Sequence, residues 1–425
     1  MMTTRIYVAL AVLMIVLGFA SPCLKAAQVA VGEFVTTASV IVVSPGKTAA
    51  DSGTALLKAV NTITDQSAGK PYIVKILPGV YDLGDKSLNM KSFISVEGSG
   101  ILETRIKGNV SGGTGEIITG GVVNIGEGQD AAHLSYLTVE NTGVPVIALP
   151  GKSVAIYTKS SSPLINNVRA LSVGQTINFA VVNEGSSPTM IEMKCVASGT
   201  ASANFAIANI EASPVMRNVH AEATGGDENI GVVNLRAEAT MQFLTAVATG
   251  GEAAVGVYND KSIADLVNAE VTVTADSDSA GVRSIGGSLI KIADSSIDVE
   301  GGEKTKGLDS TDSSTIRINN VHIEALNGTV ANHGIFTDTA DNFLNQVTIV
   351  AQGNGDNTGV GCRDASTVRI NHSSITADDY TISATGSGSD VKVGATWLNG
   401  GPAVGCTCAG VYNGGYTFYP NTCPP

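Results

Sequence analysis

The chain has 425 residues, 49 of them glycine, with 15% charged and only 5% aromatic side chains. That length permits two domains or one elongated repeat. A net charge of -13 and a pI near 4.8 argue against nucleic acid or an anionic membrane as a partner, since both need a basic face, and would attract cations.

Residues 1–27 read as an export signal: Arg5, the apolar run IYVALAVLMIVLGFA, then small residues offering cleavage after Ala20 or Ala26. Pro22 before Cys23 spoils the small-residue approach of a lipoprotein signal, and no later run is long enough to span a membrane. The expected location is secreted or at the cell surface. Five cysteines remain, Cys195, Cys362, Cys406, Cys408 and Cys423. Export favours a disulfide over a zinc site, with Cys408 and Cys423 the expected pair. Closing a loop of about 15 residues contributes roughly 3 kcal/mol on the entropy model. Cys195, in the apolar run MIEMKCV, reads as a core residue.

Residues 28–143 hold an N-terminal cap and first coils. TALLKAVNTI (54–63) has apolar residues at helical spacing after Asp51 and Ser52, which can cap a helix there.

From 144 to 400 the chain repeats. Ala155, Ala180, Ala206, Gly231, Gly256, Gly281, Gly307, Gly334, Gly359 and Thr381 form one column, spaced mostly 25 or 26 apart. A second column, Ala170, Val196, Ala221, Ala246, Val271, Ile297, Ile323, Ile349 and Ile375, keeps the same beat. Each repeat holds short alternating apolar segments between Gly, Asn, Asp and Ser, which predicts strands. A coil of about 25 residues with three strands is one turn of a parallel β-helix, in which each strand pairs with its equivalents above and below at roughly 4.8 Å. Asn183, Asn209, Asn234 and Asn259 share a further column and read as a hydrogen-bonded scaffold ladder. Acids recur where each coil turns: Asp227, Glu228, Glu252, Asp276, Asp278, Glu303, Asp356, Asp378 and Asp379. Two readings are open for this edge, a solvated turn or, as the one cofactor the sequence suggests, bound calcium. Residues 401–425 are Tyr-rich and read as a disulfide-closed C-terminal cap over the last strand edges.

Two resemblances bear on function. Asn332-His333-Gly334, followed by Arg369-Ile370-Asn371, resembles the His-Gly and Arg-Ile-Lys signatures of polygalacturonases. Both stretches fall on the repeat, however, so His333-Gly334 is the eighth copy of a structural step. Across residues 40–143, VIVVSPG, PYIVKILPGVYDL, ISVEGSG and LTVENTG follow the order found in pectin methylesterases, within the pectin lyase-like superfamily. This resemblance implies an all-β, single-stranded, right-handed parallel β-helix and a polysaccharide as partner.

The catalytic motifs do not carry over. Ser153 stands where the esterases have the Gln of Gln-Ala-Val-Ala-Leu, Gln175-Thr176-Ile177 lacks the acid of Gln-Asp-Thr-Leu, and NFAIAN offers no nucleophilic Asp. Inverting hydrolysis needs two carboxyls facing across the sugar, and upstream of His333 stand Asp309 and Asp312 but not the Asn-Thr-Asp and Asp-Asp motifs of the polygalacturonases. His220 and His322 share a column four rungs apart, about 19 Å at strand spacing, too far for one metal. The expected function is therefore a non-catalytic surface or matrix protein that binds polysaccharide or a cell-surface glycan. The alternative is a lyase or glycoside hydrolase acting on acidic polysaccharide, with Asp309, Asp312 and His333 as its catalytic candidates. A trimeric receptor-binding fibre lacks coiled-coil heptads to drive it.

Overall fold

The structure is a computed structural model that describes residues 38–115, 117–143, 151–200 and 202–425. The stretch read as an export signal, residues 1–27, and Cys23 within it lie outside the described residues. Two parallel sheets wrap the chain, one of 13 strands and one of 22, and every coil contributes to both. This is a parallel β-solenoid of about twelve turns.

Each regular coil has three faces. Face 1 is a strand such as Glu228–Leu235 in the 13-stranded sheet. Faces 2 and 3 are the two halves of a longer strand such as Thr315–Leu326, bent at Asn320. The bend has a physical cause, a left-handed residue in nearly every coil: Asn167, Glu192, Asn218, Phe243, Asn268, Asp294, Asn320 and Gln346 all have φ between 51° and 57°. Asn and Asp tolerate this conformation best, which explains their frequency at the corner.

Inside, side chains stack by type. Val181, Ile207, Val232, Val257, Val282, Leu308, Ile335 and Val360 form one continuous file, none with any exposure. The two columns read from the sequence meet across the interior, and their sizes are complementary. Coils with Ala155, Ala180 or Ala206 on one side carry Ala170, Cys195 or Ala221 on the other. Gly231 faces Ala246, and from Gly256 onward the glycines face Val or Ile: a Cβ built on Gly256 would lie 2.2 Å from Val271 Cγ1, and one on Gly281, Gly307 or Gly334 would lie 2.1 Å from Ile297, Ile323 or Ile349. Glycine at these positions is required by volume.

One member of the second column needs correcting. Register places Cys195, not Val196, between Ala170 and Ala221. Cys195 is fully buried, while Val196 points outward beside Leu171 and Glu222. Both choices fit the 25/26 spacing, but a one-residue slip reverses the side chain's face.

Both ends are closed. The helix spans Ala49–Thr62, starting five residues before the sequence suggested, because Thr48 is the N-cap and Asp51 completes a capping box from within the first turn. It buries Leu56 and Val60 and packs so closely on Gly79–Asp82 that a Cβ on Gly53 would meet the Asp82 carbonyl oxygen at 2.0 Å. At the other end Val411–Asn413 pairs antiparallel with Phe418–Tyr419, and Cys408 is joined to Cys423. The Cys406 sulfur lies 3.2 Å from that of Cys423. No helix among the described residues is long and apolar enough to cross a membrane.

Candidate functional site

The repeat carries a local break in alternation that decides what faces outward on face 1. At the small column two consecutive residues point inward, as Gly334 and Ile335 do, so His333 and Phe336, three apart, share the outer surface. Their rings lie 5.4 Å apart. Along the rod this outer surface changes character. In the early coils it is apolar, with Val154, Phe179, Val182 and Val233 buried and Phe179 stacked on Phe205 at 5.0 Å. From Asp278 onward it becomes charged and aromatic.

There the side chains converge. Asp309 receives Arg283 Nε and Lys306 Nζ on a single oxygen, each at 2.9 Å, and Arg283 also holds Asp278 at 2.5 Å. Burial pushes the Asp278 carboxyl up, but the Arg283 charge and hydrogen bond outweigh it and leave its pKa below the ordinary value. Phe336 lies between two cations, Lys306 at 5.0 Å and Arg363 at 5.2 Å from its ring centre. With Tyr380 and Asp356 these residues line a hollow of about 570 Å³. His333 sits in its wall with Nδ1 buried and unpartnered among the described residues. Burial, then the charges of Lys306 and Arg363, lower its pKa to about 4.

That shift has a testable sign. The unfolded chain takes up the proton near pH 6.5 and the folded one only near 4, so His333 costs no stability above pH 6.5 and progressively lowers it as pH falls between these values. The full difference is about 3 kcal/mol at 1.36 kcal/mol per pH unit. His333→Gln should therefore be less acid-sensitive than wild type in urea melts between pH 6.5 and 4, and parallel curves would show that His333 titrates normally.

Of the three catalytic candidates, Asp309 and His333 both reach the face 1 outer surface, whereas Asp312 sits exposed at a left-handed corner beyond the strand. The acidic edge is not a continuous file. Glu228, Asp278 and Asp356 share a column, but Ala253, Lys304 and Ala331 stand on the rungs between them. Asp227 and Glu252 lie on adjacent rungs, followed by Ser277 and then Glu303. Asp379 accepts the backbone and side-chain N–H of Asn357, and Asp378 accepts from Gln352. None of the nine acids, Asp276 included, gathers into a group of three within 4.8 Å. With Ala253, Ser277, Lys304 and Ala331 separating the acids, calcium at millimolar concentration is expected to raise the melting temperature no more than sodium chloride of matched ionic strength. A larger calcium effect, abolished by replacing Asp276 and Asp278 with Asn, would establish an ion on this edge.

The asparagine column is a continuous amide chain. Thr158 Oγ1 donates to Asn183, and Asn183, Asn209 and Asn234 each donate from Nδ2 to the next Oδ1, ending at Asn259, every bond 2.8 Å and every asparagine fully buried. A second ladder escaped sequence reasoning. Asn178 donates to Asn204 and Asn204 to Asn229, and further along Thr305 donates to Asn332 and Asn332 to Asn357. Asn332 of the Asn-His-Gly stretch is thus a scaffold residue, and the 26- and 25-residue spacing of Asn178, Asn204 and Asn229 was the available sign. His220 and His322 stand four rungs apart, each beside its own glutamate. Asp298, His322 and Glu324 bring ligand atoms within 4.8 Å of one another on face 3, a grouping that only coil register reveals.

No protein-family model matches the chain, and no curated protein matches it. Among solved structures it is similar to the A-module of the Azotobacter vinelandii mannuronan C-5 epimerase AlgE6, at 14% identity and TM-score 0.48 over 85% of this chain and 95% of that one. A GH87 α-1,3-glucanase catalytic domain in complex with nigerose gives 14% identity and TM-score 0.36 over 83% and 68%. A pectin methylesterase in complex with a hexasaccharide gives 12% and 0.33 over 58% and 75%. At this distance the chemistry of those proteins is not carried over.

Proposed function

We infer that the chain is an extracellular β-helix protein that binds polysaccharide without cleaving it, through the hollow on face 1. The observation that carries this reading is the convergence of Lys306, Phe336 and Arg363 beside Tyr380, which offers cations for a carboxylated sugar and aromatic rings for the apolar face of a pyranose. Asp309 lies outside the lining of the hollow and is already held by two cations, and Asp312 lies in a corner beyond the strand, which leaves Asp356 as the carboxylate on the lining and no facing pair for hydrolysis.

A second reading, lyase chemistry on a uronate, is favoured by one feature. His333 is neutral at pH 7 and sits between Lys306 and Arg363, where a base could take a proton from a sugar whose carboxylate the cations hold. A screen of the purified protein against acidic and neutral oligosaccharides, reading retention together with new reducing or unsaturated ends, separates the two. Binding without new ends, weakened at least tenfold by Lys306→Ala with Arg363→Ala, is expected. Cleavage that is lost in His333→Ala or Asp309→Asn would replace the binding reading with an enzymatic one.

A further inference from the structure

The recurring Arg-Ile step, Arg317-Ile318 and Arg369-Ile370, does not belong to face 1. Register places Lys291, Arg317, Phe343, Arg369 and Lys392 directly over one another on five successive coils of face 2, pointing outward. Two residues further along each strand, and so on the same surface, Asn319, Asn345 and Asn371 form a parallel file, with Asn345 donating to Asn319 at 2.7 Å. Together they line a groove of about 730 Å³. Four of the chain's 25 Lys and Arg residues therefore stand in one file of a molecule whose net charge is -13.

We propose that this groove is a binding track for a linear carboxylated polysaccharide, separate from the hollow on face 1. The rungs repeat along the rod at the strand spacing of about 4.8 Å, a length comparable to one pyranose in an extended chain, and place two cations on either side of Phe343. Guanidinium groups take carboxylates in a planar fork, amides take hydroxyls, and Phe343, 38% exposed, gives the middle of the track a flat apolar surface. Arg317 pairs with no carboxylate among the described residues and lies 5.1 Å over the Phe343 ring. Lys291 faces Asp265 at 3.4 Å, and Asp390 lies 2.6 Å from Arg369 and 3.6 Å from Lys392. The Lys291–Asp265 pair is solvent-exposed and weak, so a ligand carboxylate can displace it, whereas Arg369, 34% exposed, donates to both the side-chain and the carbonyl oxygen of Asp390 and offers its charge more than a free fork. A file of amides beside the cations suits a hydroxyl-rich carboxylated chain better than a phosphate polymer or a lipid headgroup layer.

The track is tested with face 1 disabled, in the Lys306→Ala, Arg363→Ala background, so that failure of the face 1 reading leaves this result interpretable. Sodium polygalacturonate and sodium alginate are titrated calorimetrically, with dextran as the neutral control. Both polyuronates are expected to bind, more tightly as their length increases, while dextran does not. Adding Arg317→Gln and Arg369→Gln should weaken binding at least tenfold, and Lys at both positions should restore most of it, since charge is kept and the fork is lost. Unchanged affinity in the Gln variant with an unaltered melt, absence of polyuronate binding by the parent, or tighter binding of a DNA duplex or phosphatidylserine vesicles through the same two arginines would each overturn the assignment.

Discussion

Gly334→Ala is expected to destabilise the solenoid by at least about 3 kcal/mol, the upper range for overpacking a rigid core. The new methyl would lie 2.1 Å from Ile349 Cγ2 and 2.7 Å from the Gly359 carbonyl oxygen, and neither neighbour has room to retreat. The informative experiment is a double-mutant cycle with Ile349→Ala. That change alone leaves a cavity and costs about 2–5 kcal/mol, but Ala206 opposite Ala221 shows that the rod already accommodates an alanine pair. The double variant should therefore be more stable than the two single effects predict by over 1 kcal/mol, read from urea melts. Strict additivity would mean that the two columns do not share a volume.

Asn209→Ala removes two ladder bonds at once. It leaves Asn183 Nδ2 without its acceptor and Asn234 Oδ1 without its donor, both at sites with no access to water. Orphaned buried groups cost about 1–3 kcal/mol each, so a loss of roughly 2–5 kcal/mol is expected. The same substitution at Asn319 on the exposed outer surface serves as control and should cost under about 1 kcal/mol. Equal small effects at both positions would show that the ladder admits solvent.

Much of this architecture was legible because a solenoid writes its period into the chain. Two columns in step at 25 or 26 residues gave the coil, and the asparagines gave one ladder. What stayed hidden follows from two physical features. Paired inward residues at the small column break strict alternation, so His333 and Phe336 could not be seen as neighbours on one surface, and Cys195 could not be separated from Val196 because both keep the 25/26 spacing. Contacts between coils join residues such as Lys306, His333 and Thr358, which are distant in sequence and differ in type, so no motif records them. The glycine of Asn-His-Gly was correctly a structural step, yet the histidine before it lines the hollow.

The direction of the hydrogen bonds has a mechanical consequence. Backbone pairing and both amide ladders run from coil to coil, along the rod. Tension applied at the two ends thus pulls each bond along its own axis instead of shearing a whole strand sideways, and each coil grips only its neighbours. Such a rod yields by peeling one coil at a time, at a force set by single rungs, and its load-bearing limit lies where the capping helix meets the first coil or where the C-terminal hairpin joins the last.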